Sequence, residues 1–196
     1  MGFGPIVEGS SPSPPAINIE MNVSGVILAA GKGTRMKSNI PKVLHPVSGK
    51  KLVLYALEVI EDINTKYIVV GHEAEKVIEA VPDSLNVVIQ EEQKGTGHAI
   101  SILLDDKQFA NDTSEYILVI PGDVPMINRD DIKNLIKKVI DSNSSIGFLS
   151  SKVSNPFGYG RVIQQEGQIK IVEEKDCTED ERLINEINSG IYCFEK

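Results

Sequence analysis

The chain has 196 residues, 41% of them hydrophobic, which suits one large domain with its own core. Its net charge of −8 argues against a general nucleic-acid surface, because phosphate-backbone binding needs clustered Lys and Arg. No run approaches the roughly 18 apolar residues of a membrane span, so we expect a cytoplasmic protein without a membrane partner.

Residues 1–20 predict a disordered leader or an expression scar. They are rich in Pro, Ser and Gly and show neither a helical nor an alternating apolar pattern. They also lack the basic start and continuous apolar segment of a secretory signal. We therefore place the folded domain at residues 21–196.

The first informative stretch is 26–36, Val-Ile-Leu-Ala-Ala-Gly-Lys-Gly-Thr-Arg-Met. This pattern is typical of a buried parallel strand that ends in a tight turn before a helix. Gly31 and Gly33 let backbone N–H groups approach a phosphate, the helix N-terminus would favour an anion, and Arg35 supplies a fork of donors. The loop is not a dinucleotide fingerprint, because Met36 replaces the third glycine, nor a Walker A loop. An ordinary strand, turn and helix with a surface arginine is the alternative.

The segment after this loop, residues 37–46, is polar and contains two prolines, so we expect it to cross the surface near the site. Lys42 lies within it and is a candidate phosphate ligand, with a solvated lysine as the alternative. Apolar spacing then predicts a helix over 52–60, a strand over 67–70, a short helix over 73–81 and a strand over 85–89.

A second informative stretch is 90–100, Gln-Glu-Glu-Gln-Lys-Gly-Thr-Gly-His-Ala-Ile. Gln90 and Gln93 each carry the donor and the acceptor that reading the edge of a base requires. Gly95 permits backbone groups to do the same, and Thr96 begins a predicted helix. A capped helix with solvent-facing glutamines is the alternative.

The strand predicted over 116–120 is the most central one, and it leads into Pro121-Gly122-Asp123. An acid just past the carboxyl end of a parallel strand lies where open α/β sheets bind their ligands. We take Asp123 as a magnesium ligand, since Mg²⁺ needs only one or two carboxylates besides substrate phosphate oxygens. A plain Pro-Gly-Asp turn is the alternative.

The last third of the chain changes pattern. A helix over 130–140 and a strand over 146–149 are followed by a hairpin-like pair around Gly167, a polar loop at 179–182 and a returning strand over 187–194. Cys177 and Cys193 fit no metal-ligand spacing, so we expect reduced thiols in a cytosolic protein, with a disulfide as the alternative.

Several of these stretches together resemble one family. Gly-x-Gly-Thr-Arg-Met, Gln-x-x-Gln-x-Gly-Thr-Gly-His-Ala, Gly-Asp-Val-Pro, Gly-Tyr-Gly-Arg and Glu-Ile-Asn-Ser-Gly resemble the uridyltransferase (pyrophosphorylase) domain of the bifunctional bacterial N-acetylglucosamine-1-phosphate uridyltransferases / glucosamine-1-phosphate acetyltransferases. The similarity runs from Val26 to about Phe194. It implies a Rossmann-like α/β nucleotidyltransferase fold, with a mostly parallel central sheet, flanking helices and a small β-hairpin subregion on the sugar side.

The resemblance also implies an activity. This is Mg²⁺-dependent transfer of UMP from UTP to N-acetylglucosamine 1-phosphate, giving UDP-N-acetylglucosamine, a peptidoglycan and lipopolysaccharide precursor, and pyrophosphate. The implied catalytic residues are Arg35 and Lys42, on the phosphates, and Asp123, on the metal. The implied nucleotide-binding residues are Leu28, Ala29, Ala30, Gly31, Gly33, Gln90, Gln93, Gly95, Thr96 and Gly122. The implied sugar-binding residues are Gly160, Glu173 and Asn188.

The sequence departs from the family in three respects. Pro121 stands where some members carry Tyr, on the sugar side of the site. A second magnesium ligand of the family, an Asn, and the acetyltransferase domain belong to segments that this sequence does not contain. Because the family trimerises through that domain, we expect a monomer here. Another sugar-phosphate nucleotidyltransferase, or a nucleotide-sugar binding module without turnover, are the alternatives.

Overall fold

A mixed eight-stranded sheet forms the centre of the computed structural model, which describes residues 23–33, 36–165 and 167–196. The predicted leader lies outside these residues. The strands are β1 (Val23–Ala29), β2 (Pro46–Val47), β3 (Lys50–Lys51), β4 (Thr65–Val70), β5 (Asn86–Ile89), β6 (Tyr116–Pro121), β7 (Ile146–Lys152), β8 (Arg161–Gln165), β9 (Gln168–Val172) and β10 (Glu186–Glu195). The α-helices are α1 (Leu52–Val59), α2 (Ala74–Ile78), α3 (Thr96–Leu104), α4 (Lys107–Ala110), α5 (Arg129–Asp141) and α6 (Glu179–Arg182). None of these helices is long and apolar enough to cross a membrane.

The parallel half of the sheet has the order β5-β4-β1-β6. These strands are almost continuously apolar because helices cover both faces. One buried cluster packs α1 and α5 against one face, and a second packs α3 and α4 against the other. The carboxyl ends of β1, β4, β5 and β6 therefore meet at one edge of the sheet, as the sequence predicted.

The antiparallel half is organised by β10. Its carboxyl half pairs with β6 on one edge and β7 on the other, while its first half reaches β8 through Ile187 and Arg161. The register shifts between Asn188 and Tyr192, where Gly190 has a φ of +80°. This bend lets one strand join the parallel sheet to the β8–β9 hairpin, which confirms the predicted hairpin subregion.

The residues directly after the glycine loop, 34 and 35, lie outside the described residues, so a helix beginning there stays a prediction. In the described chain from Met36 to Lys51 there is no α-helix: Met36 and Lys42–Leu44 have 3₁₀ conformation, β2 and β3 form a two-stranded pair, and α1 begins at Leu52, as predicted. Pro41 and Pro46 explain this, because proline lacks a backbone N–H and disfavours helical backbone in the residue before it.

Two expected surface segments also differ from the prediction. Val43 and Leu44 are buried in the core beside α1, so the segment after the glycine loop packs inward as well as crossing the surface. The polar loop predicted at 179–182 is the short helix α6. Thr178 and Glu181 form a capping box that satisfies its first N–H groups, which explains how so polar a stretch becomes helical.

Candidate functional site

A cleft of about 260 Å³ opens at the carboxyl edge of the parallel strands. Segments that follow β1, β5 and β6 line it, together with the start of α3 and the bend of β10. Eight of the ten predicted nucleotide positions lie in its wall: Leu28, Ala30, Gly31, Gly33, Gln90, Gln93, Gly95 and Thr96. These eight residues extend over 68 positions of the sequence, from Leu28 to Thr96, and the fold brings them together in one cleft.

The other two predicted nucleotide positions, Ala29 and Gly122, lie beneath the cleft wall. Ala29 is buried in the core and pairs with Val70 on β4. The N–H of Gly122 donates to the carbonyl of Leu28 at 2.9 Å, and a Cβ on Gly122 would lie 3.1 Å from that oxygen. Gly122 therefore lets the segment after β6 lie directly against β1, beside the cleft.

The glycine loop packs directly against Lys42. Gly33 has a φ of +57°, and a Cβ at this position would lie 2.8 Å from the Cβ of Lys42. Glycine is required by both the left-handed backbone and this close approach. Arg35, the other predicted phosphate ligand of the loop, lies outside the described residues, so its role stays a prediction.

Lys42 and Asp123 form an ion pair at the cleft, between Nζ and Oδ2. Their side chains keep 44% and 25% of their surface exposed, so both charges can reach a ligand. Among the described residues, no group of three or more His, Cys, Asp or Glu side chains could hold a metal ion. The donor set therefore fits an ion that takes one carboxylate oxygen from Asp123 and its remaining ligands from substrate phosphates and water, as Mg²⁺ does.

The opposite wall holds the two glutamines in defined positions. The side chain of Gln90 is buried, with its Nε2 2.9 Å from Nδ1 of His98. Nε2 of Gln93 donates to the carbonyls of Gln90 and Glu91, at 3.1 and 3.2 Å. The alternative of solvent-facing glutamines is therefore wrong for Gln90.

Gly71, which follows β4, is a site residue that the sequence analysis missed. A Cβ there would lie 2.8 Å from the carbonyl oxygen of Gln90, 2.8 Å from Nε2 of Gln93 and 3.0 Å from the Cβ of Ala30. The absence of a side chain lets three segments of the cleft wall meet. The available signal was a glycine directly after an apolar strand, which by itself also fits an ordinary turn.

Pro121 and Gly190 line the cleft as well. A Cβ on Gly190 would lie 3.1 Å from Cγ of Pro121, so the bend of β10 and the end of β6 are in contact here. Gly190 belongs to the Glu-Ile-Asn-Ser-Gly motif, yet nothing in sequence spacing indicated that it would face Pro121. Pro121, which the sequence analysis expects on the sugar side of the site, is therefore part of the cleft wall.

The three predicted sugar positions lie together. The N–H of Asn188 donates to the carbonyl of Gly160 at 2.9 Å, and a Cβ on Gly160 would lie 3.3 Å from Oε1 of Glu173. The amide of Asn188 is held by the hydroxyl of Tyr192, 2.5 Å away, and by the N–H of Gly190 at 3.1 Å. Burial raises the pKa of Tyr192, and the Glu173 carboxylate raises it further. Tyr192 was not identified from the sequence.

A buried arginine lies next to the three predicted sugar positions. Arg161 is 1% exposed, and its Nη2 lies 2.7 Å from Oε2 of Glu174. The N–H of Gly158 donates to the same oxygen at 2.9 Å, and these two donors lower the pKa of Glu174. Arg161 follows Gly160 in sequence and Glu174 follows Glu173, so the pair fixes the backbone on both sides of the predicted sugar contacts.

Comparisons with known proteins show the family and the fold of this chain. Residues 25–168 match the family described as MobA-like NTP transferase domain. The chain is 43% identical over 178 residues to the bifunctional protein GlmU of Clostridioides difficile (strain 630), covering 89% of this chain and 38% of the relative. It is 46% identical over 180 residues to the GlmU of Clostridium novyi (strain NT), covering 89% and 39%. A UDP-glucose pyrophosphorylase solved with UDP-glucose shares the fold, with a TM-score of 0.65 at 21% identity over 89% of this chain and 76% of that one.

Proposed function

This chain belongs to the family of MobA-like NTP transferase domains and is a nucleotidyltransferase, and from this premise we propose that it transfers UMP from UTP to N-acetylglucosamine 1-phosphate. The products would be UDP-N-acetylglucosamine and pyrophosphate. The similarity to GlmU proteins supports the choice of substrates, although the chain spans only 38–39% of the length of the two relatives described above. The observation that carries the proposal is one cleft lined by a glycine loop, a Lys–Asp pair and a wall with a buried glutamine.

The proposed reaction needs no general base. The phosphate of the sugar is already an anion when it attacks the α-phosphorus of UTP, and pyrophosphate leaves from the opposite side. The protein must instead hold two anions that repel each other and neutralise the charge of the leaving group. The proposed reaction therefore depends on residues that position the two substrates and donate hydrogen bonds to their phosphate oxygens.

The phosphate side of the cleft supplies such residues. When bound, Mg²⁺ would screen the phosphate oxygens and favour the departure of pyrophosphate. Asp123 would hold it, and Lys42, which is paired with Asp123 in the structure, would then be free to bind a phosphate oxygen. Gly31 and Gly33 line the same space, where their backbone N–H groups would bind phosphate oxygens, and the sequence motif adds Arg35.

The sugar side supplies hydrogen-bonding groups of defined orientation. We propose that Glu173 and Asn188 bind the sugar hydroxyls and the acetamido group. Tyr192 and Gly190 already hold the Asn188 amide, so little ordering is left for the ligand to induce. An acceptor without the acetamido group leaves polar groups of the site unpaired, which predicts slower turnover of glucose 1-phosphate.

The test is pyrophosphate release from UTP, N-acetylglucosamine 1-phosphate and Mg²⁺, with the Asp123→Ala variant beside the wild type. We expect the variant to lose at least about a hundredfold in turnover, the usual effect of removing one preorganised electrostatic group. Asp130→Asn, at an exposed carboxylate on α5, is the matched control and should behave as wild type. Release with a different sugar phosphate only would contradict the proposed acceptor. Binding of the UDP-sugar without any turnover would instead identify a binding module.

A further inference from the structure

The contact between Gln90 and His98 determines how the cleft presents an amide to its ligand. Nε2 of Gln90 lies 2.9 Å from Nδ1 of His98, and Gln90 is only 2% exposed. An amide nitrogen donates hydrogen bonds and does not accept them. With the amide in this orientation Nδ1 of His98 is the acceptor, and the imidazole proton then lies on Nε2 of the ring.

The backbone of Gln90 is held on both sides by hydrogen bonds, and the contact with His98 is the one side-chain hydrogen bond of Gln90 among the described residues. The backbone N–H of Gln90 donates to Val70 on β4 at 2.7 Å, and its carbonyl accepts from Gln93. His98 is held in turn by the first turn of α3, where the N–H of Ala99 donates to Gly95 at 3.2 Å. Both side chains thus start from fixed backbone.

With one N–H of Nε2 directed at His98, Oε1 is the acceptor that the Gln90 amide can offer to a ligand. Within the part of the chain that the structure describes, no hydrogen bond occupies this oxygen, and Gln90 lines the cleft. An acceptor at this position complements a base that presents an N–H. Uracil has an N–H at N3, whereas cytosine has a lone pair at N3 and an amino group in place of the O4 oxygen.

We propose that His98 is a positioning residue that selects uracil over cytosine by holding the Gln90 amide with its oxygen toward the base. The inference rests on the proposed function, because it takes this cleft as the nucleotide site. His98 does not touch the base and acts only through Gln90. A donor in place of Nδ1 would turn the amide around and favour cytosine.

The experiment measures kcat/KM for UTP and for CTP with N-acetylglucosamine 1-phosphate. Wild type should favour UTP by about tenfold to a hundredfold, the discrimination that base-edge pairing usually gives. In His98→Leu the amide can rotate to suit either base, so the UTP/CTP ratio should fall by about three- to tenfold, the worth of one net hydrogen bond. His98→Asn can place an oxygen where Nδ1 was and should keep most of the ratio.

The ratio separates selection from simple damage to the fold, because a distorted α3 would lower both kcat/KM values together. Ser101→Ala, at an exposed position of the same helix, is the control and should leave the ratio unchanged. If His98→Leu does not fold, His98→Lys, which offers only donors, is expected to lower the ratio in the same way.

Each outcome bears on one of the two proposals. A wild-type chain that selects UTP, with an unchanged ratio in folded His98→Leu or His98→Lys, would overturn the role of His98 and leave the proposed function standing. A wild type that uses CTP as well as UTP would also overturn it. Absence of both turnover and nucleotide binding in wild type would refute the proposed function itself.

Discussion

Gly71→Ala tests whether the cleft wall depends on close contact between three backbone segments. The added methyl group would lie 2.8 Å from the carbonyl oxygen of Gln90, 2.8 Å from Nε2 of Gln93 and 3.0 Å from Cβ of Ala30. All three distances are shorter than van der Waals contact. Gln93 can move away, but the Gln90 carbonyl and Ala30 belong to the ends of β5 and β1.

The loss of stability in Gly71→Ala depends on which neighbouring groups must move to make room for the methyl group. If Gln93 swings out, it loses its hydrogen bonds to the Gln90 and Glu91 carbonyls, about 1 kcal/mol each. Displacing the strand ends is an overpacking effect of about 1–3 kcal/mol. We therefore expect the free energy of unfolding to fall by roughly 2–4 kcal/mol, and Tm by roughly 5–15 °C for a domain of this size.

The assays are thermal melting and UTP titration by calorimetry. Because Gln93 and Ala30 both line the cleft, UTP affinity should fall by about tenfold or more, the scale of effect when a binding group is misplaced by about an ångström. Gly97→Ala is the matched control, since a Cβ there meets nothing within 4 Å and Ala is the better helix former. A Gly71→Ala chain that melts within a degree of wild type and binds UTP normally would refute the reasoning.

Four further predictions follow from the geometry. Lys42→Met should lower turnover by about a hundredfold with little change in Tm, because its ion pair is exposed; equal losses of turnover and stability would contradict this. Arg161→Met should lower Tm and raise KM for the sugar phosphate more than KM for UTP, as steady-state kinetics can show. Burial alone would raise the pKa of Asp112, but hydrogen bonds from neighbouring side chains and backbone outweigh burial and lower the pKa. The ionised Asp112 therefore stabilises the fold above the unfolded carboxyl pKa of about 4, and this stabilisation is lost as the pH falls below that value. The Tm difference between wild type and Asp112→Asn should accordingly be largest at neutral pH and shrink on acidification. Burial raises the pKa of the free Cys193 thiol to about 12, so it should resist alkylation in the folded chain at pH 8 and react after unfolding.

Much of the fold could be predicted from the sequence because its parallel strands are buried on both faces. Such strands appear as short apolar runs, and the runs at 67–70 and 116–120 correspond to β4 and β6. Pro41 and Pro46 predict an irregular segment before the first helix, and α1 begins at Leu52, where the apolar spacing predicts it. The short pieces β2, β3 and α4 carry too few residues to show a period.

The candidate site, like the fold, could be predicted from the sequence only in part. Gln90 and Asp123 were identified because each follows a strand and belongs to a recognisable motif. The sequence analysis did not identify Gly71, Tyr192 or the contact of His98 with Gln90. Each matters through a side-chain or backbone contact that only the folded chain creates. A single sequence shows which residue types follow a strand, but not which of them will touch.

The glycines of the cleft divide into two kinds with different consequences for catalysis. Gly33 and Gly71 lack room for a Cβ, which would lie 2.8 Å from its nearest neighbour, and at Gly122 and Gly190 it would lie 3.1 Å away, closer than ordinary van der Waals contact. They let backbone segments touch, so the wall is rigid before a ligand arrives, as catalysis by positioning requires. Gly31 has nothing within 4 Å of its Cβ position and lines the same cleft. Substitution of the first four should therefore weaken folding and binding together, whereas substitution of Gly31 should weaken binding alone.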